Sequence, residues 1–486
     1  MPIPDTAPAV ILVVFDGLRP DMITKELAPN LRRFANDGSR FPMSRSVFPT
    51  ETRVNVASLV TGCRPAKHGI VATLYQAPDA VAGRPLHTGR AEDLEALDAA
   101  TGGRLLGAAS LGERLAASGR SLAVVSTGSS GSALLLHHRA EALGQFRWST
   151  YGDAYCSPAA RGLAERFGAA PPGSQANAAR IDHAMTVFLA HVLPVVRPDV
   201  AIFWSTDPDA TYHQYGIGSA EAAASIRGAD AAFGRLLEWW HATGRETGTQ
   251  IICLSDHGHI TGREKLSMVD LFQGSGFKVG PAFDADTDIV LAPGAPVGLS
   301  FHNPARRDQV ALWLHEQPWC GLIFSPGRNE IEGEAPGSFA FALAGADHAR
   351  TAHLSFTFAD DDEFDANGIP GGGFFDKKLP LLAGIHGGLH PRELSNVMIA
   401  GGDAFREYYA SPFACGIVDV LPTLLHLLDL PGGWTDGRVL IEAMGRGETP
   451  GEIRRLSHTA SHGRFGRRLD RHFTGPIPYL DGGYAL

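Results

Sequence analysis

The chain has 486 residues, of which 44% are hydrophobic and 19% charged, with a formal net charge of −10 at pH 7. This composition indicates a globular protein with ample core, and the acidic balance argues against a nucleic-acid polymer as partner. Small anionic substrates stay open, because bound metal ions reverse the local sign of a site.

The N-terminus, MPIPDTAPAVILVVFDG, lacks a basic leader region and a small-residue cleavage site. No uncharged apolar run reaches the ~18 residues of a membrane span. The expectation is a soluble, cytoplasmic protein without a membrane partner. Five cysteines, Cys63, Cys156, Cys253, Cys320 and Cys415, show no C-x-x-C pair. They read as small buried apolar residues rather than as a disulfide framework or a thiolate zinc site.

In chain order, residues 9–15 form a continuous apolar run, as expected of a strand buried on both faces. Similar runs cover 122–126, 200–204, 251–254 and 397–400. Helical patterns lie between them, at 176–193 and where Ile226, Ala229, Phe233, Leu236 and Trp240 make one apolar face. Alternating β and α elements predict a mainly parallel central sheet flanked by helices. From 262 to 380 the pattern weakens to short strand candidates at 289–292, 322–324 and 354–358 among many Gly and Pro residues. The expected organisation is a catalytic core over 1–261, an inserted smaller cap over 262–380 and the last part of the core over 381–445. The cap ends in ADDDEFDANGIPGGGFFDKK, read as a solvated acidic loop. The arginine-bearing stretch 446–486 reads as a surface extension or a homo-oligomer contact.

Ligands of open α/β sheets bind beyond the carboxyl ends of the strands. Asp16 closes the first apolar run, in VVFDG, and Asp256 and His257 close another, in IICLSDHG. Asp209 and His213, in DPDATYHQYG, follow a third and stand four residues apart, on one face of a helix. Any one of them alone reads as a cap or turn residue, but their coincidence at strand ends suggests a metal site.

Between these motifs lies FPTETRVNVASLVTGCRPAKHGI, residues 48–70. With FDG at 15–17, PTETRVN at 49–55, SLVTG at 58–62, HGI at 68–70, DPDATYH at 207–213, SDHG at 255–258 and GIHG at 384–387, the chain resembles the alkaline phosphatase superfamily. Within it, the resemblance is to the nucleotide pyrophosphatase/phosphodiesterase-like branch, and GIVDVLPTLLHLLDLP at 416–431 is similar to that family's closing helix. The resemblance implies an alkaline phosphatase-like fold and two zinc ions per chain. Asp209, His213 and His386 would hold one, and Asp16, Asp256, His257 and the hydroxyl of Thr52 the other. Ligand type alone leaves manganese and iron open. It also implies hydrolysis of a small phosphoryl-containing substrate through a phosphothreonyl intermediate on Thr52. The chemistry is coherent: paired metals stabilise the attacking and leaving oxygens of an in-line displacement, and a threonine hydroxyl needs such activation.

Neighbouring residues fit the motif less well or take other roles. Thr50 falls on the wrong position of the motif. CRPAK at 63–67 superficially resembles a sulfatase motif, but the modified cysteine of that family stands where Thr52 does here. His259 and His390 read as ordinary polar residues near the site or as donors to its ligands, and His68 as a structural histidine. Thr73 stands where the family's diesterases carry an asparagine, Glu51 where a lysine is common, and Arg53 where a phenylalanine stacks on a base. Arg53, Thr73 and Tyr75 are the expected substrate-binding residues, and Trp148, Tyr151, Tyr155 and Tyr212 are further candidate pocket walls. A guanidinium beside the nucleophile favours a second anionic group on the substrate. The leading expectation is therefore a phosphodiesterase. The alternative is a phosphonate hydrolase, phosphonoacetate hydrolase-like, or a phosphate monoesterase with the same metal site.

Overall fold

A computed structural model describes residues 7–173, 177–376, 379–445 and 447–486. The predicted central sheet is present and has eight strands. Its order is Tyr409–Ala410, Ser39–Arg40, Met398–Gly401, Gln250–Leu254, Val10–Phe15, Val200–Ser205, Leu122–Ser126 and Phe146–Ser149. The five strands from Gln250–Leu254 to Phe146–Ser149 are mutually parallel, and Met398–Gly401 runs antiparallel to its neighbour. Val10–Phe15 is buried at every position because it lies centrally, with helices over both faces. Alternate side chains of the strand feed two cores: Val10, Leu12 and Val14 on one face, Ile11, Val13 and Phe15 on the other.

The helix Ala220–Trp239 packs Ile226, Ala229, Phe233 and Leu236 onto the second core, as its spacing predicts. The helical prediction at 176–193 is met by Ala178–Val187 and a wider-wound continuation, Phe188–Val196; its first residue, Ala176, lies outside the described residues.

The segment 262–380 builds a six-stranded sheet, including Ile289–Ala292, Cys320–Ser325 and Leu354–Phe358, over its own core. The strand Ile260–Lys265 crosses the expected boundary, pairing with Pro370–Phe375 on one side and Gly384–Ile385 on the other. The cap thus begins and ends in one small sheet, and that sheet delivers residue 386 to the core.

One expectation needs correction. The acidic stretch is a hairpin, its largely solvent-exposed acidic strand Asp360–Phe364 set against Pro370–Phe375, rather than a loop; Lys377 and Lys378 lie outside the described residues. Its acids are matched by protein partners: Arg263 pairs with Asp361 and Glu363, while Asp365 accepts from Thr261 and from backbone N–H groups of Asn367 and Ile369. Residues 453–485, within the stretch read as a surface extension or homo-oligomer contact, form a three-stranded antiparallel meander. Leu469 and Leu480 from the meander join Phe324 and Phe339 from the cap and Phe48 from the core in one cluster. Phe48 is four residues before Thr52, so this cluster backs the loop that carries it.

Candidate active site

The three central strands Gln250–Leu254, Val10–Phe15 and Val200–Ser205 end side by side, and their carboxyl ends carry Asp256 and His257, Asp16, and Asp209 in turn. Asp209 opens the helix Asp209–Tyr215, which puts His213 one turn further along the same face. His386 arrives from the cap sheet. The residues drawn from these distant segments meet: Asp209 Oδ1 lies 3.2 Å from His213 Nε2 and 3.4 Å from His386 Nε2. The two imidazole Nε2 atoms are 3.1 Å apart. Beside them, His257 Nε2 is 3.7 Å from Asp16 Oδ1 and 3.3 Å from Asp256 Oδ2. The rings of His257 and His386 stack at 3.8 Å, which joins the two groups into one centre.

Backbone carbonyls set the tautomer of every histidine here. Nδ1–H donates from His213 to Gly384, from His257 to Gly258, from His259 to Gly17 and from His386 to Thr50, at 2.7 to 3.1 Å. A carbonyl only accepts, so the proton sits on Nδ1 and the Nε2 lone pair faces the centre. Burial pushes the imidazole of His257 well below its ordinary range, which keeps it neutral.

The carboxylates are asymmetric. Burial and the facing charges of Asp256 and Asp209 push Asp16 well above the usual carboxylate range. Burial raises Asp256 to about 7, against backbone N–H bonds from Gly17 and His257. Asp209 differs: the adjacent His213, and then the contacts with His259 and His386, hold it well below the usual range against the cost of burial. Asp16 Oδ1 and Asp256 Oδ2 are buried and have no hydrogen-bond donor among the described residues. Orphaned carboxylate oxygens facing imidazole lone pairs suit a divalent cation, which meets both needs at once. Two donor groups of metal-holding geometry result: Asp209 with His213, His259 and His386, and Asp16 with Asp209 and His257.

Thr52 is the first residue of the helix Thr52–Thr61, is 2% exposed, and places its hydroxyl 3.3 Å from His257 Nε2. Asn55 laces the preceding turn: its Oδ1 accepts from Val47 N–H and its Nδ2 donates to the carbonyls of Pro49 and Glu51. Thr50 is excluded as a competitor, since its hydroxyl donates to Gly388 O and accepts from Gly387 N–H.

Arg53 and Thr73 come together beside Thr52, with Arg53 Nη2 donating to Thr73 Oγ1 at 3.2 Å. Tyr75 does not join them: it is 3% exposed and packs in the main core. Trp148 and Tyr212 are likewise core residues, Tyr155 bonds Glu92, and Tyr151 is a surface ring under Arg180. His390 caps the helix Pro391–Leu394 and meets Asp362, away from the centre. His68 is structural: its Nδ1 accepts from Ile70 N–H and its Nε2 faces Ser58 Oγ at 3.0 Å. All five cysteines are free and buried. His259, read in the sequence as an ordinary polar residue or a donor to the ligands, joins the group around Asp209. Its only signal was two-residue spacing from His257.

The chain is similar to known proteins. A family profile described as Type I phosphodiesterase / nucleotide pyrophosphatase matches residues 10–317. The bis(5'-adenosyl)-triphosphatase enpp4 of Xenopus laevis is 42% identical over 77 residues, covering 16% of this chain and 17% of that protein. The human counterpart is 39% identical over 71 residues, covering 14% and 16%. The matched segment therefore spans about a sixth of these relatives. Among solved structures, an inactive variant of murine ectonucleotide pyrophosphatase / phosphodiesterase 5 in complex with AMP superposes with a TM-score of 0.61 at 17% identity. It covers 88% of this chain and 97% of that one, a likeness of fold. With strand-end carboxylates and histidines, helix-borne threonine and profile in agreement, the chain belongs to the type I phosphodiesterase / nucleotide pyrophosphatase family of the alkaline phosphatase superfamily.

Proposed function

We propose that the protein is a two-metal phosphoric ester hydrolase, foremost a phosphodiesterase, that works through a phosphothreonyl intermediate on Thr52. The observation that carries the reading is the Thr52 hydroxyl, seated at a helix start within 3.3 Å of His257 and beside two convergent donor groups.

Asp209, His213 and His386 would hold one zinc ion, and Asp16, Asp256, His257 and the Thr52 hydroxyl the other. When bound, the pair would lower the pKa of the Thr52 hydroxyl and offset the charge that builds on attacking and leaving oxygens. The chain's own residues do the rest. Thr52 Oγ1 attacks phosphorus and the bond to the leaving alkoxide breaks, which leaves the phosphoryl group on Thr52. Water then attacks the same phosphorus and the Oγ1–P bond breaks, returning the free hydroxyl. The N–H groups of the first turn of Thr52–Thr61 lack intrahelical partners and face the anionic oxygens throughout. Asn55 fixes the turn, so the hydroxyl meets phosphorus without reorganisation.

The relatives named for bis(5'-adenosyl)-triphosphate and the AMP-bound neighbour support a nucleotide ester or anhydride among the substrates. A second reading, a phosphonate hydrolase or monoesterase, is favoured by Arg53, whose guanidinium beside Thr52 suits a further negative charge. The test compares p-nitrophenyl phosphate, its bis-ester and a phenylphosphonate ester, with and without chelator, for wild type and Thr52→Ala. Preference for the bis-ester, loss with chelator and a loss on the order of 10³-fold or more in Thr52→Ala are expected. A clear monoester preference supports the second reading, and full activity in Thr52→Ala overturns both.

A further inference from the structure

We propose that His259 is a fourth protein donor to the metal held by Asp209, His213 and His386. The inference rests on the metal-site reading above and adds a ligand to it.

Three observations carry it. First, His259 Nε2 lies 3.0 Å from Asp209 Oδ1. Its Nδ1–H donates to Gly17 O at 3.1 Å, so the atom facing the carboxylate is the one with the lone pair. Two lone-pair atoms in such contact call for a shared cation. Second, the distances suit one coordination shell. Bonds of ~2.0–2.1 Å make a tetrahedron with edges of roughly 3.3–3.4 Å. The measured edges from Asp209 Oδ1 are 3.0 Å to His259, 3.2 Å to His213 and 3.4 Å to His386. All four donor atoms lie within 4.8 Å of one another.

Third, the fold builds a seat for this ring. A Cβ at residue 17 would fall 2.3 Å from His259 Cε1, so the imidazole occupies space that only glycine leaves there. Arg19, 1% exposed, donates to His259 O at 3.2 Å and to Pro370 O, while Asp21 holds its other nitrogens. Tyr212 closes the remaining side, edge-on at 5.0 Å. The ring is thus held from three segments with its Nε2 turned into the centre.

Four protein donors would make a closed shell of the kind that retains its ion. His259 thereby sets how tightly this position keeps its metal.

The experiment strips the full-length protein of metal and reloads wild type, His259→Ala, His259→Gln and, as benchmark, His213→Ala. Zn²⁺ affinity is read by competition with a chromophoric chelator, and coordination by the visible absorption of bound Co²⁺. Glutamine keeps a donor toward Asp209 through its amide N–H. Both His259 variants are expected to weaken one of the two positions by more than the roughly 10–100-fold that loss of a merely orienting partner costs, and to alter its Co²⁺ band, as His213→Ala does. If His259→Gln keeps wild-type affinity and spectrum, His259 only orients Asp209 and the proposal falls while the metal site stands. If His213→Ala also keeps both, the metal-site reading falls with it. A measurement on unmutated protein guards against misfolded variants: ¹⁵N-histidine protein loaded with ¹¹³Cd²⁺ should show four cadmium-coupled imidazoles, from His213, His257, His259 and His386. Three would overturn the proposal.

Discussion

Replacing Gly17 by alanine tests the geometry of the centre through stability, without reference to turnover. Gly17 has φ +70°, where a residue with a Cβ costs about 1–2 kcal/mol. The added methyl would also stand 2.3 Å from His259 Cε1 and 3.0 Å from Asp209 Cβ. The ring is held against retreat by its Nδ1 bond to Gly17 O and by the Arg19 bond to its carbonyl, and overpacking of that kind costs about 1–3 kcal/mol. The sum is about 2–5 kcal/mol, a large part of the ~5–15 kcal/mol available to a folded protein. Gly83 supplies the control: its φ is +76° with nothing within 4 Å of an added Cβ, so Gly83→Ala carries the backbone cost alone. Denaturant unfolding of the metal-stripped proteins, followed by tryptophan fluorescence, measures both. Gly17→Ala should be the more destabilised by about 1–3 kcal/mol. Equal losses would refute the argument that the His259 ring is locked against residue 17.

Metal binding should displace protons, since burial raises Asp256 to about 7 and holds Asp16 higher than usual in the metal-free chain. Zn²⁺ affinity measured by calorimetry in two buffers should therefore fall as pH drops below about 7, and a pH-independent affinity between 8 and 6 (taken as roughly two units) would contradict it. His68 gives a stability prediction: burial lowers its folded pKa to about 3 from 6.5, so protonation favours the unfolded chain. Its contribution is complete above the unfolded value and is lost as pH falls toward the folded one, about 2 kcal/mol by pH ~5. Thermal unfolding of His68→Gln should show that much less acid sensitivity, and an unchanged pH slope would refute it. Arg53→Ala should raise KM for a substrate with a second anionic group by roughly 10–100-fold, the worth of a charge-assisted bond, and affect a plain diester far less. Equal effects on both would remove Arg53 from substrate recognition.

What was legible in the sequence is what local pattern encodes. Strands buried on both faces must be continuously apolar, so the runs at Val10–Phe15, Leu122–Ser126 and Val200–Ser205 could be read to within a residue. Their carboxyl ends then located Asp16, Asp209, Asp256 and His257. The strand Phe146–Ser149 escaped because Arg147 interrupts it; its guanidinium is buried by bonds to His137 O and Tyr155 O. The meander at 453–485 escaped for a similar reason, since Arg467, 3% exposed, occupies an inward position beside Gly321 and His315. Edge strands such as Ser39–Arg40 are too short to show a period. His259 was hidden differently. Nothing local tells whether a histidine two residues past His257 turns toward Asp209; that depends on the absent side chain of Gly17, 242 residues away. Tyr75 was assigned by type, and its apolar surroundings decide otherwise.

The central claim is that Thr52 carries the phosphoryl group, and acid quenching during turnover of a p-nitrophenyl phosphodiester tests it directly. Peptide mass spectrometry of the metal-loaded enzyme should find phosphate on the peptide containing Thr52, at the threonine itself, and none after Thr52→Ala. Turnover with that peptide unmodified at every quench time, or undiminished turnover in Thr52→Ala, would contradict the account.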